Sequence, residues 1–196
     1  MPITYTNHRG VTFHLCRGVT KTGKLRYYFA RTPKGEPVDE LPAGYEIVES
    51  VNGVVSLAKV RPVLIHPDEQ ELVRKAVAGL KKAYNYRVDV KGLYITVYER
   101  FDEDPDKMAS LMASIMGVTP ASIAQRVREE SDQHAHFAPV LRFRLENESA
   151  RLFGAERWSW SSSIDGWAEL SISGQLAGCV RRTVPTLGTE RFFDLM

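Results

Sequence analysis

A chain of 196 residues, 43% hydrophobic and 26% charged, has room for one domain or two small ones and the composition of a soluble globular protein. It has no apolar run of membrane-spanning length and no apolar leader in MPITYTNHRG. Its two cysteines, Cys16 and Cys179, lie too far apart for a disulfide framework or paired metal ligands. A helical membrane protein and a disulfide-stapled one are excluded, a cytoplasmic protein is expected, and a net charge of +2 favours no partner by itself.

In chain order, ITYTN, VTFHLCRGV and KLRYYFAR read as three short strands, separated by the turn-like HRG and TKTG and rich in β-branched and aromatic residues. Alternation puts Phe13 and Leu15 on one face of the second strand and His14 and Cys16 on the other. In the third strand it sets Arg26 and Tyr28 together, opposite Tyr27 and Phe29. RTPKGEPVDELPAG, with three prolines and two glycines, reads as a loop, and YEIVES and VVSLAKV as a hairpin around Asn52-Gly53. Residues 1–63 are therefore expected to form a small antiparallel β module. Its most cleavable segments are that loop and the stretch near Val63 to Asp68.

Beyond it the texture becomes that of an α+β body, residues 64–196. HPDEQELVRKAVAGLKKAYN predicts a helix capped by Asp68, with Leu72, Val73, Ala76, Val77, Leu80 and Tyr84 inward. YRVDV and LYITVYE predict a hairpin turning at Lys91-Gly92. DPDKMASLMASIMG and TPASIAQRVREES predict two helices around Gly117, buried by Leu111, Met112, Ile115 and Met116, with Thr119 and Pro120 opening the second. VLRFRLE reads as a strand with Phe143 and Leu145 inward, and RLFGAERWSW as its partner. SSSIDGWAEL and SISGQLAGCVRRTV read as partly helical, with Ser161 to Ser163 capping a helix that holds Ile164 and Trp167. Trp158, Trp160 and Trp167 read as core anchors.

The charge is unevenly spread. Residues 1–35 carry Arg9, Arg17, Lys21, Lys24, Arg26, Arg31 and Lys34 and no acid, whereas the rest of the chain has 19 bases against 24 acids. A basic end on an acidic body suggests a surface that meets an anion. The expected surface comprises Arg17, Lys21, Lys24, Arg26, Tyr28, Arg31 and Lys34, bases neutralising phosphates and Tyr28 offering a ring to a nucleobase. The expectation is a bacterial-type nucleic-acid-binding or accessory protein, for DNA or RNA. The alternatives are an interaction module whose basic face meets an acidic protein partner, and a small sheet guarding its edges with lysines.

Other motifs carry less. MASIMGVTPASIAQRVREE has the outline of a helix-turn-helix that would turn Ser122, Gln125 and Arg126 to a groove, but Glu129, Glu130 and the DEDPD run would repel phosphates. Asp68 with Asp89 and Lys91 outlines a Mg²⁺-dependent nuclease, in which carboxylates hold the ion. Against that, Asp68 suits a helix cap and Lys91 a turn. His134 and His136, expected to share a strand face near Glu130 and Asp132, lack a third histidine nearby, so no metal is expected there. With no GxSxG, P-loop or dinucleotide fingerprint, neither enzymatic activity nor a cofactor is expected.

Overall fold

The computed structural model describes residues 1–159 and 166–195. The fold is α+β, and the chain divides into two compact units, Met1–Arg61 with Asp132–His134, and Pro62–Ser131 with Ala135–Met196.

The first unit is built on an antiparallel sheet, with β1 (Thr4–Thr6), β2 (Thr12–Val19) and β3 (Leu25–Ala30) in that order. The stretch expected to be only loop contributes a fourth, two-residue strand, β4 (Glu36–Pro37), which pairs with Cys16 and Arg17 of β2. The reason is hydrogen-bond supply. β1 pairs only with Thr12 to His14, and the remaining polar backbone of an eight-residue strand needs partners. Val38 meets part of that need, its N–H donating to Leu15 O at 3.2 Å while its own carbonyl accepts from Ile3 N at 2.9 Å. A hairpin of β5 (Tyr45–Glu49) and β6 (Val55–Lys59) completes the unit.

Few apolar side chains are fully buried here, namely Leu15, Cys16 and Val55. Polar contacts therefore do much of the fastening. Asn7 is buried in the β1–β2 turn. Its Oδ1 accepts from the N–H groups of Arg9 and Val11, and its Nδ2 donates to Gly53 O at 2.8 Å. Gly53 has φ +72°, and a Cβ there would stand 2.9 Å from Asn7 Nδ2, so both conformation and space call for glycine. Beside it, Glu49 accepts from Tyr5 Oη at 2.9 Å and from the His8 N–H at 2.9 Å, and pairs with the His8 ring.

The second unit begins with α1 (Pro67–Ala78). Its cap is His66, not Asp68, because Glu69 in the first turn accepts the His66 N–H at 2.8 Å. The helix stops at Gly79 rather than running to Asn85, and a short 3₁₀ turn spans Ala83–Asn85. Then follow β7 (Tyr86–Lys91), β8 (Tyr94–Arg100), α2 (Pro105–Met116), α3 (Pro120–His134), β9 (Phe137–Asn147), β10 (Leu152–Ser159), β11 (Gly166–Gln175) and α4 (Leu176–Thr183). The β7–β8 turn is Gly92-Leu93, one residue later than the sequence suggested, since Lys91 pairs with Tyr94.

The five strands form one antiparallel sheet ordered β11-β10-β9-β8-β7. Period-two alternation gives it two unlike faces. Ile95, Val97, Leu141, Phe143, Leu145, Phe153, Leu170 and Ile172 point to one side. There they pack with Val73 and Val77 of α1, Leu176, Cys179 and Val180 of α4, and Val184, Leu187 and Phe192 beyond it. Residues 166–175 are strand, not helix, because Leu170 and Ile172 alternate with Glu169, Ser171 and Ser173; only from Leu176 does the helical period begin. Trp167 accordingly sits in β11, opposite Trp158 of β10, at 5.3 Å and edge to face. Trp160, Ser161 to Ser163 and Ile164 lie outside the described residues.

Two outcomes test the polar fastenings. Burial tends to raise the Glu49 carboxyl, but hydrogen bonds from the His8 N–H, Tyr5 and the His8 ring outweigh it and hold it below its ordinary 4.5. A depressed carboxyl stabilises the fold above the ordinary value and stops doing so as pH falls through the folded one. Acid titration of folding should therefore show a loss below pH 4.5 that Glu49→Gln removes. In the second unit, Glu156→Ala should cost about 1–3 kcal/mol in denaturant unfolding, because partly exposed Arg142 loses its carboxylate while Arg144 keeps Glu146 and Glu169.

Candidate nucleic-acid interface

Strand parity sorts the basic strip. Cross-strand partners share a face, and the β2–β3 register pairs Gly18 with Arg26, Cys16 with Tyr28 and Arg17 with Tyr27. Arg26 and Tyr28 thus project together, and the Arg26 guanidinium stacks over the Tyr28 ring at 4.9 Å. Arg17 lies on the opposite face, where Glu36 of β4 binds it through Nε at 3.0 Å and through Nη2 at 2.5 Å. That pairing raises the Arg17 pKa and lowers that of Glu36. Arg31 stacks over Phe13 at 5.9 Å, also on the Arg17 side. Lys21 and Lys24 frame the exposed turn, which Thr20 closes by accepting the Lys24 N–H on Oγ1 at 3.0 Å and donating its own N–H to Lys24 O at 2.8 Å.

Lys21, Lys24, Arg26, Arg31 and Lys34 are all exposed, and among the described residues none of the five forms an ion pair. Tyr28 is half-buried rather than open. Its ring lies over Gly18, where a Cβ would come within 3.2 Å of the ring carbon Cε1. Its hydroxyl would stand 2.6 Å from a Cβ at Gly35. The two glycines make the slot that seats the tyrosine, and the tyrosine in turn holds the Arg26 guanidinium flat against it.

The remaining candidates are dispersed. α2 and α3 form a helical hairpin turning at Gly117 in the left-handed conformation, and Ala109, Ala113, Ile123 and Val127 pack between them. Leu111, Met112, Ile115 and Met116, expected to bury this hairpin, are exposed instead. The contact is made by small residues of α2, which let the helices approach closely. On α3, Gln125 donates to Glu129 at 3.0 Å and Arg126 pairs with Glu130 at 3.9 Å, so both groove candidates already face acids; Ser122 donates to Thr119 O at 2.6 Å.

Asp68 is exposed in α1, while Asp89 lies mid-strand in β7 with its carboxyl pushed up by burial, and Lys91 ends that strand rather than sitting in the turn. His134 is the last residue of α3 and His136 precedes β9, donating its N–H to Asp102. The two histidines share no strand face, because α3 runs three residues further than its sequence pattern suggested. Among the described residues no group of three or more His, Cys, Asp or Glu is placed to hold a metal ion.

One cluster was not anticipated. On the sheet face of the second unit that carries no helix, Arg142 lies between Tyr94 at 4.4 Å and Trp167 at 4.2 Å and pairs with buried Glu156. Arg144 reaches Glu156 at 3.3 Å, Glu146 at 3.1 Å and Glu169 at 2.9 Å. These arginines are spent on carboxylates, unlike Arg26 and Arg31 of the first unit, which form no ion pair among the described residues. The R-F-R spacing of VLRFRLE was the available signal, since it places Arg142 and Arg144 on one face.

No family model matches the chain, and no curated protein or solved structure matches it either. Among the described residues no helix is long and apolar enough to cross a membrane.

The tyrosine slot is testable. Gly35→Ala would place a Cβ 2.6 Å from both Arg17 O and the Tyr28 hydroxyl. Thermal unfolding should show a loss of about 1–3 kcal/mol from overpacking, and Tyr28 fluorescence or ring NMR shifts should change with it.

Proposed function

We propose that the first unit binds a nucleic-acid backbone through the β2–β3 hairpin and the loop that follows it. The observation that carries this reading is the set of five exposed cations, Lys21, Lys24, Arg26, Arg31 and Lys34, none in an ion pair among the described residues. Unpaired cations on a rigid ribbon neutralise phosphates and release counterions at little conformational cost. Their distribution favours a groove. Cations occupy the hairpin tip, one face through Arg26 and the other through Arg31, and a two-stranded ribbon entering a major groove meets phosphates on both walls. Arg17 contributes less than its place in the sequence suggested, because Glu36 neutralises it.

Tyr28 serves this surface by positioning Arg26 rather than by stacking on a base, since its ring is already occupied. The second reading, an acidic protein partner, uses the same cations. Salt separates the two: phosphate binding weakens log-linearly and steeply as salt rises.

The expected outcome for Lys21→Ala/Lys24→Ala/Arg26→Ala is unchanged folding, within about 0.5 kcal/mol, and a salt-dependence slope flatter by roughly 2–3 units. Electrophoretic shift or anisotropy across a salt series measures both. Absence of binding to single-stranded and duplex nucleic acid at low salt, or a triple variant that binds like the parent, sinks the reading. Tyr28→Ala should weaken single-stranded and duplex binding alike; a loss confined to single strands would restore the stacking role.

A further inference from the structure

α2 has two apolar stripes, and among the described residues one of them packs against α3. Ala109 and Ala113 face α3 and are buried. Roughly a quarter-turn or more around the helix, Met108, Leu111, Met112 and Ile115 follow the i, i+3, i+4, i+7 spacing of a helix–helix seam. Met116 and Val118 extend that stripe, and no described residue of the second unit buries it. Leu111 is 64% exposed, Met116 54% and Ile115 78%. Six such side chains leave several hundred Å² of contiguous apolar surface, the upper end of what a monomer tolerates.

The stripe has a knob and a hole. Ile115 is its most protruding side chain. A surface depression of ≈ 320 Å³ lies at the other end, lined by Glu103, Asp104, Lys107, Met108 and Leu111. Met108 and Ile115 are seven residues apart, so knob and hole are separated by about 10 Å along one helix. A twofold axis near Leu111 and Met112 would seat each Ile115 in the other copy's depression.

Charge selects the same antiparallel arrangement. Acids crowd the start of α2, with Asp102, Glu103, Asp104 and Asp106, whereas no acid occurs from Lys107 to Arg128. Asp104 and Asp106 are bound by Lys82 and Arg128, and Asp102 is paired with His136. Glu103 has no ion-pair partner among the described residues. A parallel pairing would bring the two acidic ends together. An antiparallel one brings Glu103 of each copy toward the acid-free Gly117–Pro120 turn of the other, where the N-terminus of α3 carries positive partial charge.

We infer that α2 is the interface of a twofold homodimer, formed with a second copy of this chain through Met108, Leu111, Met112, Ile115 and Met116. A charge-depleted, wholly apolar stripe of this kind suits permanent cover, and an isologous contact between identical chains supplies it at equal concentration. This inference is independent of the nucleic-acid reading and adds a second basic hairpin to each particle.

Light scattering on the full chain over a concentration series tests it. The expected mass is twice the 22.1 kDa of the chain, falling to the monomer value in Ile115→Asp with helical circular dichroism unchanged, since residue 115 is exposed. Met108→Cys/Ile115→Cys should oxidise to a covalent dimer on a non-reducing gel; Cys16 and Cys179 are buried and do not compete. A monomeric parent at every concentration overturns the inference, whether or not the stripe then binds lipid vesicles or another protein. So does a dimer that survives Ile115→Asp, or a double-cysteine variant that stays monomeric on oxidation.

Discussion

Glu156 is 3% exposed, and a carboxylate so placed must be paired. Arg142 and Arg144, two residues apart on the neighbouring strand, supply the pair. Much of the second unit's order can be traced from that contact. The register it accompanies sets Arg142 opposite Glu156 and Phe143 opposite Ala155. A slip of one residue would turn both arginines into the apolar side and Phe143 and Leu145 out of it. The same guanidinium that satisfies Glu156 lies between Tyr94 and Trp167, so one ionic contact orients side chains of β8, β9, β10 and β11. Breaking it therefore affects more than a local charge.

The first unit solves a different problem. With only three apolar side chains fully buried, it relies on Asn7 and Glu49 to tie the β1–β2 turn to the β5–β6 hairpin, and on borrowed backbone pairing at β4. This construction leaves the β2–β3 ribbon free to carry cations. Arg26 rests on a tyrosine that two glycines accommodate, and its fellow cations face solvent. The two units differ in how their arginines are used. Arg142 and Arg144 of the larger sheet are bound by carboxylates, as is Arg17 on the small ribbon, whereas Arg26 and Arg31 lie over aromatic rings instead.

What the sequence disclosed follows the reach of local rules. β1, β2 and β3 were legible because β-branched and aromatic runs sit between turn residues, and the inward stripe of α1 because Leu72, Val73, Ala76 and Val77 keep a helical period. β4 was not legible, since two residues of a proline-containing loop become a strand only when β2 lacks a partner. β11 was mistaken because its alternation is short and adjoins the helical α4. The apolar residues of α2 were visible but their environment was not. A period reveals that a stripe exists and is silent on what covers it, and here the alanines, not the larger side chains, meet α3. The basic strip was legible as charge, while the separation of Arg17 from Arg26 emerged only from the strand register and from Glu36 lying across it.

The backbone link through Val38 reaches further than pairing. Ile3, Leu15 and Val38 are joined in one run of hydrogen bonds, and Asn7 and Glu49 hold the later hairpin by separate contacts. The connection from Asp39 to Gly44 is bridged by the contacts of Asn7 with Gly53 and of Tyr5 and His8 with Glu49. A break in the chain there would not set the Tyr45–Lys59 hairpin adrift. The two pieces would remain docked as a nicked but assembled unit, which makes this segment the natural seam for dividing the protein into complementing fragments.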